Sequence, residues 1–155
     1  MNTRIDAGLH HQVVRGLQII WLAFVGSIGL YVFILLLLSE QSEPVEADFV
    51  EVLRPVFWVL ATILTIATFI WRQQVADLER PRRRTTASGF ERLRVACIVT
   101  WALSEAVGVL GLCLGSITYA HLDYMPFVFL AIALLFVHRP AAWPIERFLR
   151  EDYRR

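Results

Sequence analysis

The sequence lacks the residues and motifs on which most enzyme active sites depend. It contains no lysine, only two cysteines and only four histidines in 155 residues. It has no HExxH metal motif, no glycine-rich phosphate loop and no recognisable Ser/His/Asp set. Cys97 and Cys113 lie at different levels of one apolar block, so they cannot pair with each other, and they form no metal-type cluster. We therefore predict a protein that is not an enzyme and that uses no metal or other cofactor.

Long apolar blocks dominate what is present. Apolar residues make up 57% of the chain, above the ~45–50% of average soluble domains. Because a membrane-spanning helix needs about 20 mostly apolar residues, we predict one all-α membrane domain with four transmembrane helices, at about 13–38, 52–71, 90–119 and 122–138. The first block is too long for a cleavable signal peptide and no small-residue cleavage site follows it, so we expect none.

The charged segments between the blocks differ in sign. Segment 39–51 is acidic, whereas the central loop 72–94 and the C-terminal segment 139–155 are rich in arginine. Basic flanks of membrane spans remain cytoplasmic. We therefore predict that both termini and the central loop are cytoplasmic, in the cell (inner) membrane, and that segment 139–155 lies along the membrane surface.

The central loop contains a run of three arginines, Arg82, Arg83 and Arg84. They are candidates for binding anionic lipid headgroups, although fixing the topology is a sufficient role for them. Because no folded module or aromatic platform accompanies the run, we do not expect nucleic acid as a partner.

One acidic residue lies inside an apolar block. Glu105 is eleven residues beyond Arg94, which at about 1.5 Å per residue is about 16 Å, half of a hydrocarbon core. An ionised carboxylate at that depth costs several kcal/mol or more, and the sequence offers no basic side chain there as a partner. We therefore expect Glu105 to be protonated for much of the time. It is either an exchangeable ion-binding site or a hydrogen-bonded link between helices.

Small residues recur along the same block, with spacings of four, three and four. They are Ser104, Gly108, Gly111 and Gly115. Such a face lets another helix approach closely. Ordinary helix packing explains the face, and docking of a partner helix is the alternative.

Threonines of the second block provide possible partners for the carboxyl. Thr62 and Thr65 lie at about the depth of Glu105, because the second and third helices run antiparallel. We predict that a threonine hydroxyl hydrogen-bonds Glu105 and that Ser104, Thr62 and Thr65 complete the ion-binding site.

The residues around Glu105 also match a known pattern. Residues 102–106 read ALSEA, a Gly-Leu pair follows six residues after the acid, and Arg72-Gln73 precedes an arginine-rich turn. Over about residues 72–115 the chain resembles the ion-carrying hairpin of ATP-synthase c subunits and vacuolar-type proteolipids. The resemblance implies that Glu105 carries an ion, H⁺ rather than Na⁺, because Ala106 stands where sodium sites use a hydroxyl residue. The second block contains no glycine, unlike the glycine-rich inner helix of that family.

The ends of the fourth block carry polar residues. We expect Asp123 to cap the helix, with a cation site shared with His121 as the alternative. We expect His138 and Arg139 to extend into the headgroup region.

Two functions from different classes remain open. One is a non-catalytic accessory or scaffold subunit, held in a homo- or hetero-oligomer within the bilayer. The alternative is a proton-linked transport or proteolipid-like subunit that uses Glu105 as its exchangeable site. We favour the first, because only one block carries an intramembrane charge.

Overall fold

Four α-helices make up nearly all of the computed structural model, which describes residues 3–39, 47–76 and 89–143. The elements are α1 (Thr3–Ser39), α2 (Ala47–Ala76), α3 (Gly89–Thr118), α4 (His121–Val137) and a 3₁₀ turn at Pro140–Ala142. The predicted all-α class is confirmed. α1 and α2 extend beyond the predicted apolar blocks, because charged and polar residues continue both helices past their apolar stretches.

Three helices contain segments long and apolar enough to cross a membrane. These segments are Gln12–Leu38, Phe49–Val75 and Glu91–Thr118, with mean hydropathies of 2.5, 1.9 and 1.9. α4 is also apolar but has only 17 residues, or about 25 Å at 1.5 Å per residue, somewhat less than a ~30 Å hydrocarbon core. A fourth span at α4 therefore stays a prediction.

α3 and α4 form a tight helical hairpin. Only Tyr119 and Ala120 separate the two helices. Tyr119 has a φ of 51°, in the left-handed region, and its N–H donates to the Gly115 carbonyl at 2.8 Å. This conformation costs a non-glycine residue about 1–2 kcal/mol, which the packing of α4 along α3 offsets.

α3 is the central helix and contacts each of the other three. In the apolar 18-residue stretch of α3, 44% of the residues are buried, against 11% in the corresponding stretches of α1 and α2. α1 runs parallel to α3, since Ile28 lies beside Gly108 and Leu35 beside Gly115, while α4 runs antiparallel to α3. We call the end where α1 and α3 begin the lower end, and the opposite end the upper end.

The small-residue face of α3 packs against helices of its own chain. Its members are Ser104, Gly108, Gly111 and Gly115. A Cβ atom added at Gly111 would lie 2.8 Å from Phe127 Cβ, and one at Gly115 would lie 2.8 Å from Leu35 Cδ1 and 2.9 Å from Tyr124 Cδ1. The missing side chains therefore allow α4 and α1 to approach α3. Because these helices occupy the face, a partner helix has no access to it.

An ion pair joins α2 to α4 at the upper end. Arg54 Nε lies 2.8 Å from Asp123 Oδ1, and Arg54 Nη2 donates to Oδ2 at 3.0 Å. The predicted capping role of Asp123 is wrong, because the N-cap residue is Ala120 and no side chain caps this end of α4. His121, the other half of the possible cation site, instead contacts the hydroxyl of Tyr124 through Nδ1.

A second polar contact joins α2 to the end of α4. Arg72 Nη1 lies 2.9 Å from His138 Nδ1, and because a guanidinium can only donate, this ring nitrogen accepts. The His138 carbonyl accepts hydrogen bonds from Trp101 Nε1 at 2.8 Å and Trp143 Nε1 at 3.3 Å. Burial, and secondarily the charge of Arg72, lower the pKa of His138 to about 4. The expectation that His138 extends outward is wrong, since it is completely buried, whereas Arg139 is exposed.

Candidate functional site

Glu105 lies at the middle of the apolar segment Glu91–Thr118 and is partly exposed. Among its neighbours on α3, Ala102 and Val109 are exposed and Ala106 is partly exposed. These residues follow the three- and four-residue spacing of one helix face. The carboxyl therefore lies beside a surface strip of small and short side chains.

Two hydroxyl groups of α1 contact the carboxyl. Tyr31 Oη donates to Glu105 Oε1 at 2.7 Å, and Ser27 Oγ is also hydrogen-bonded to Oε1. Because Ser27 and Tyr31 are four residues apart, they lie on the same face of α1. The three side chains, here called the Glu105 cluster, join α1 to α3 near the middle of both apolar segments.

The Ser27 hydroxyl also contacts a backbone carbonyl of its own helix. Ser27 Oγ also lies 2.7 Å from the carbonyl oxygen of Phe24. The cluster thus has three oxygen–oxygen contacts, but each hydroxyl supplies only one proton, and a carbonyl can only accept. The Ser27 hydroxyl proton is therefore shared between the Phe24 carbonyl and Glu105 Oε1, while Tyr31 Oη donates to Oε1. The Glu105 carboxyl is thus the acceptor that both hydroxyls of α1 contact.

The second carboxyl oxygen has no partner within the described part of the chain. Both contacts to Glu105 are made at Oε1. A carboxyl oxygen that carries no proton is a hydrogen-bond acceptor. Glu105 consequently retains one acceptor position on the partly exposed side of α3.

The predicted threonines lie elsewhere. The hydroxyls of Thr62 and Thr65 donate to the carbonyls of Trp58 and Ala61, at 2.8 Å in both cases. Along α2, Trp58 and Phe69 share this side of the helix, and their rings pack against Phe127 and His138 of α4, at centroid distances of 4.7 and 5.2 Å. Thr62 is exposed and Thr65 is half-buried, and the hydroxyl of each is hydrogen-bonded within α2.

Ser104 is adjacent to Glu105 in sequence but does not bind its carboxyl. Ser104 is completely buried, and its hydroxyl donates to the Thr100 carbonyl at 2.9 Å. Neighbouring residues on a helix point about 100° apart. Ser104 therefore points into the interior of the bundle, about 100° away from Glu105, which contacts α1.

Ser27 and Tyr31 are the functional side chains that sequence reasoning missed. Both lie near the middle of the first apolar block and four residues apart, the same type of signal that singled out the threonines. Both α1 and α2 thus carry a pair of hydroxyl residues near the middle of an apolar stretch. The sequence did not show which of the two pairs contacts Glu105.

Other predicted sites are only partly described. Arg82, Arg83 and Arg84 lie outside the described residues, so their contact with lipid headgroups stays a prediction. Cys97 is buried and Cys113 is exposed, and both are free thiols. Across residues 3–39, 47–76 and 89–143, no group of three or more His, Cys, Asp or Glu side chains is placed to hold a metal ion.

Comparisons with known proteins give no relative from which a function can be transferred. No protein-family model matches the chain, and neither do the curated proteins or the solved structures that were searched. The geometry of the Glu105 cluster is therefore the basis for assigning a function.

Proposed function

We propose that this chain is a non-catalytic scaffold subunit of a membrane assembly, in which Glu105 links helices as a neutral acid. One observation carries the proposal: the Glu105 carboxyl is hydrogen-bonded to Ser27 and Tyr31 of the neighbouring helix in the same chain. A hydrogen-bonded carboxylic acid at mid-membrane holds two helices at a fixed register and rotation, because displacing either helix leaves polar groups unpaired in an apolar medium.

The proposal includes four spans with the lower end in the cytoplasm. α2 ends at Ala76 and α4 at Val137, and the arginine-rich segments adjoin these lower ends. This arrangement follows the positive-inside rule. The length of α4 is compatible with a span if its ends lie near the headgroups, where Asp123 pairs with Arg54.

A proton-exchange function is the second candidate. It is supported by the partial exposure of Glu105 and by the acceptor oxygen Oε2. The resemblance to proteolipid hairpins favours the same role for Glu105. In this case the proton would leave and return during function, whereas a structural acid keeps its proton over the physiological pH range.

Labelling with dicyclohexylcarbodiimide in native membranes distinguishes the two functions. This reagent reacts with protonated carboxyls in apolar surroundings, and mass spectrometry locates the adduct. We expect Glu105 to be labelled at the same rate from pH 6 to pH 9, because the structural acid retains its proton. Glu105→Gln is the matched control, since it keeps the shape of the side chain but has no carboxyl to modify.

A tenfold or greater fall in labelling as the pH rises would overturn the structural role and make proton exchange the working function. Tyr31→Phe tests whether the hydrogen bond to α1 limits access of the reagent to the carboxyl. Losing the hydroxyl leaves Oε1 with Ser27 as its hydrogen-bond partner in the described structure, so we expect labelling of this variant to become faster than that of the wild type.

A further inference from the structure

An acceptor oxygen of Glu105 remains without a donor on a surface that a helix can reach. Oε2 has no hydrogen bond within the described residues, and its neighbours Ala102 and Ala106 are small. In hydrocarbon an unpaired polar atom costs several kcal/mol, so a donor from a partner would stabilise it. Small side chains also permit close approach of a second helix.

An exposed face of α2 in the same chain carries a complementary surface. Val59 and Ile66 are 58% and 53% exposed, and Thr62, between them, is also exposed. The spacing of three and four residues places all three on one face of α2. Thr62 is the central residue of the apolar segment Phe49–Val75. Its hydroxyl, which donates to the Trp58 carbonyl within the chain, is a donor that can turn outward.

We propose that a second copy of this chain docks the Thr62 face of its α2 against the Glu105 face of α3, with the Thr62 hydroxyl donating to Glu105 Oε2. The inference rests on the proposed scaffold function and names its partner. Both residues are central in their apolar segments, so two copies with the same membrane orientation bring donor and acceptor to the same depth without a vertical shift.

The pairing also fits in shape and register. Two copies inserted in the same direction place α2 of one antiparallel to α3 of the other, because α2 and α3 are antiparallel within a chain. With Thr62 opposite Glu105, Ile66 lies opposite Ala102 and Val59 opposite Val109. Branched side chains of one copy thus meet small or short side chains of the other. The two faces differ, so the contact is head-to-tail and repeats from copy to copy.

Disulfide cross-linking in membranes tests this register. The native cysteines, Cys97 and Cys113, are first replaced by alanine, and single cysteines are introduced into two differently tagged versions of the full chain. Mixed tagged dimers then report contacts between copies only. We expect Ala102→Cys to cross-link with Ile66→Cys, and Val109→Cys with Val59→Cys.

The mismatched pair, Ala102→Cys with Val59→Cys, controls for random collision. Its positions are seven residues out of register, or about 10 Å apart, so we expect at least a fivefold lower yield. Adding Thr62→Val to the matched pair removes the donor and keeps the shape of the side chain. Because Thr62 is exposed and bonds only within its own helix, folding is retained, and we expect the yield to fall about threefold.

Equal yields for matched and mismatched pairs, no mixed dimer, or a yield unchanged by Thr62→Val would each overturn the proposal. These outcomes are separate from those of the carbodiimide experiment. Absent cross-links together with pH-independent labelling would reject the second copy and leave the scaffold role. Labelling that falls with pH would reject the scaffold role, whatever the cross-links show.

Discussion

Adding one methyl group at Gly111 tests the close approach of α3 and α4. A Cβ atom there would lie 2.8 Å from Phe127 Cβ and 3.3 Å from the Tyr124 carbonyl oxygen, whereas ordinary contacts are 3.4–4 Å. Both neighbouring atoms are fixed to the α4 backbone, so rotating a side chain cannot relieve the clash. We therefore expect the helices to separate by about 1 Å and Gly111→Ala to lower the free energy of unfolding by about 1–3 kcal/mol.

Two other glycines provide matched controls. A Cβ atom added at Gly26 or Gly29 meets no heavy atom within 4 Å. Because alanine favours helix over glycine by up to about 1 kcal/mol, we expect Gly26→Ala and Gly29→Ala to be neutral or stabilising. Gly108→Ala should be tolerated, since its nearest neighbour would be Ala131 Cβ at 3.4 Å.

The assay is reversible unfolding from mild detergent into sodium dodecyl sulfate, followed by tryptophan fluorescence. The reasoning would be refuted if Gly111→Ala unfolded at the same denaturant fraction as the wild type. It would also be refuted if Gly26→Ala were as destabilising as Gly111→Ala, because the cost would then reflect helix formation rather than the α3–α4 contact.

Three further predictions concern the polar contacts. Tyr31→Phe should lower the unfolding free energy by about 1 kcal/mol. The same substitution is measured in a Glu105→Leu background, which lacks the Tyr31–Glu105 hydrogen bond. An equal loss of stability in that background would exclude this hydrogen bond as the cause. Arg54→Ala and Asp123→Ala should show a small coupling in a double-mutant cycle, and this coupling should weaken with salt, because Arg54 is about half exposed. A coupling independent of salt would contradict this. The pKa of His138 is lowered to about 4, so the unfolded chain takes up a proton near pH 6.5 that the folded chain does not. Stability should therefore fall as the pH is lowered from about 6.5 to about 4, by up to about 3 kcal/mol. His138→Gln should lack this change, so a melting temperature of the variant with the same pH dependence as the wild type would refute the reasoning.

Depth along the helices was predictable from sequence, whereas rotation about them was not. Counting residues from Arg94 placed Glu105 at the middle of a span, and the structure puts it at the middle of the apolar segment. The same counting put Thr62 and Thr65 at a matching level. In a helix that is apolar all round, periodicity does not show which side meets which neighbour. The structure pairs Glu105 with α1, and the hydroxyls of Thr62 and Thr65 with carbonyls of their own helix.

Polar residues at helix ends were also predicted incompletely, because their partners are distant in sequence. Asp123 has the position of a capping residue, but Arg54, 69 residues earlier, binds both of its carboxylate oxygens. His138 follows the last apolar residue of α4, which suggested exposure. Packing of Trp101 and Trp143 against its carbonyl instead keeps it inside the bundle.

The central position of α3 has a consequence for biosynthesis. α1 and α2 are made first, yet they pack mainly through α3 rather than on each other. Until α3 is inserted, Ser27 and Tyr31 lack the carboxyl they bind in the finished bundle. If the helices span the bilayer as proposed, a ribosome-bound chain that ends before Gly89 would hold two independent helices there, and release of residues 89–118 would convert them into one folded unit.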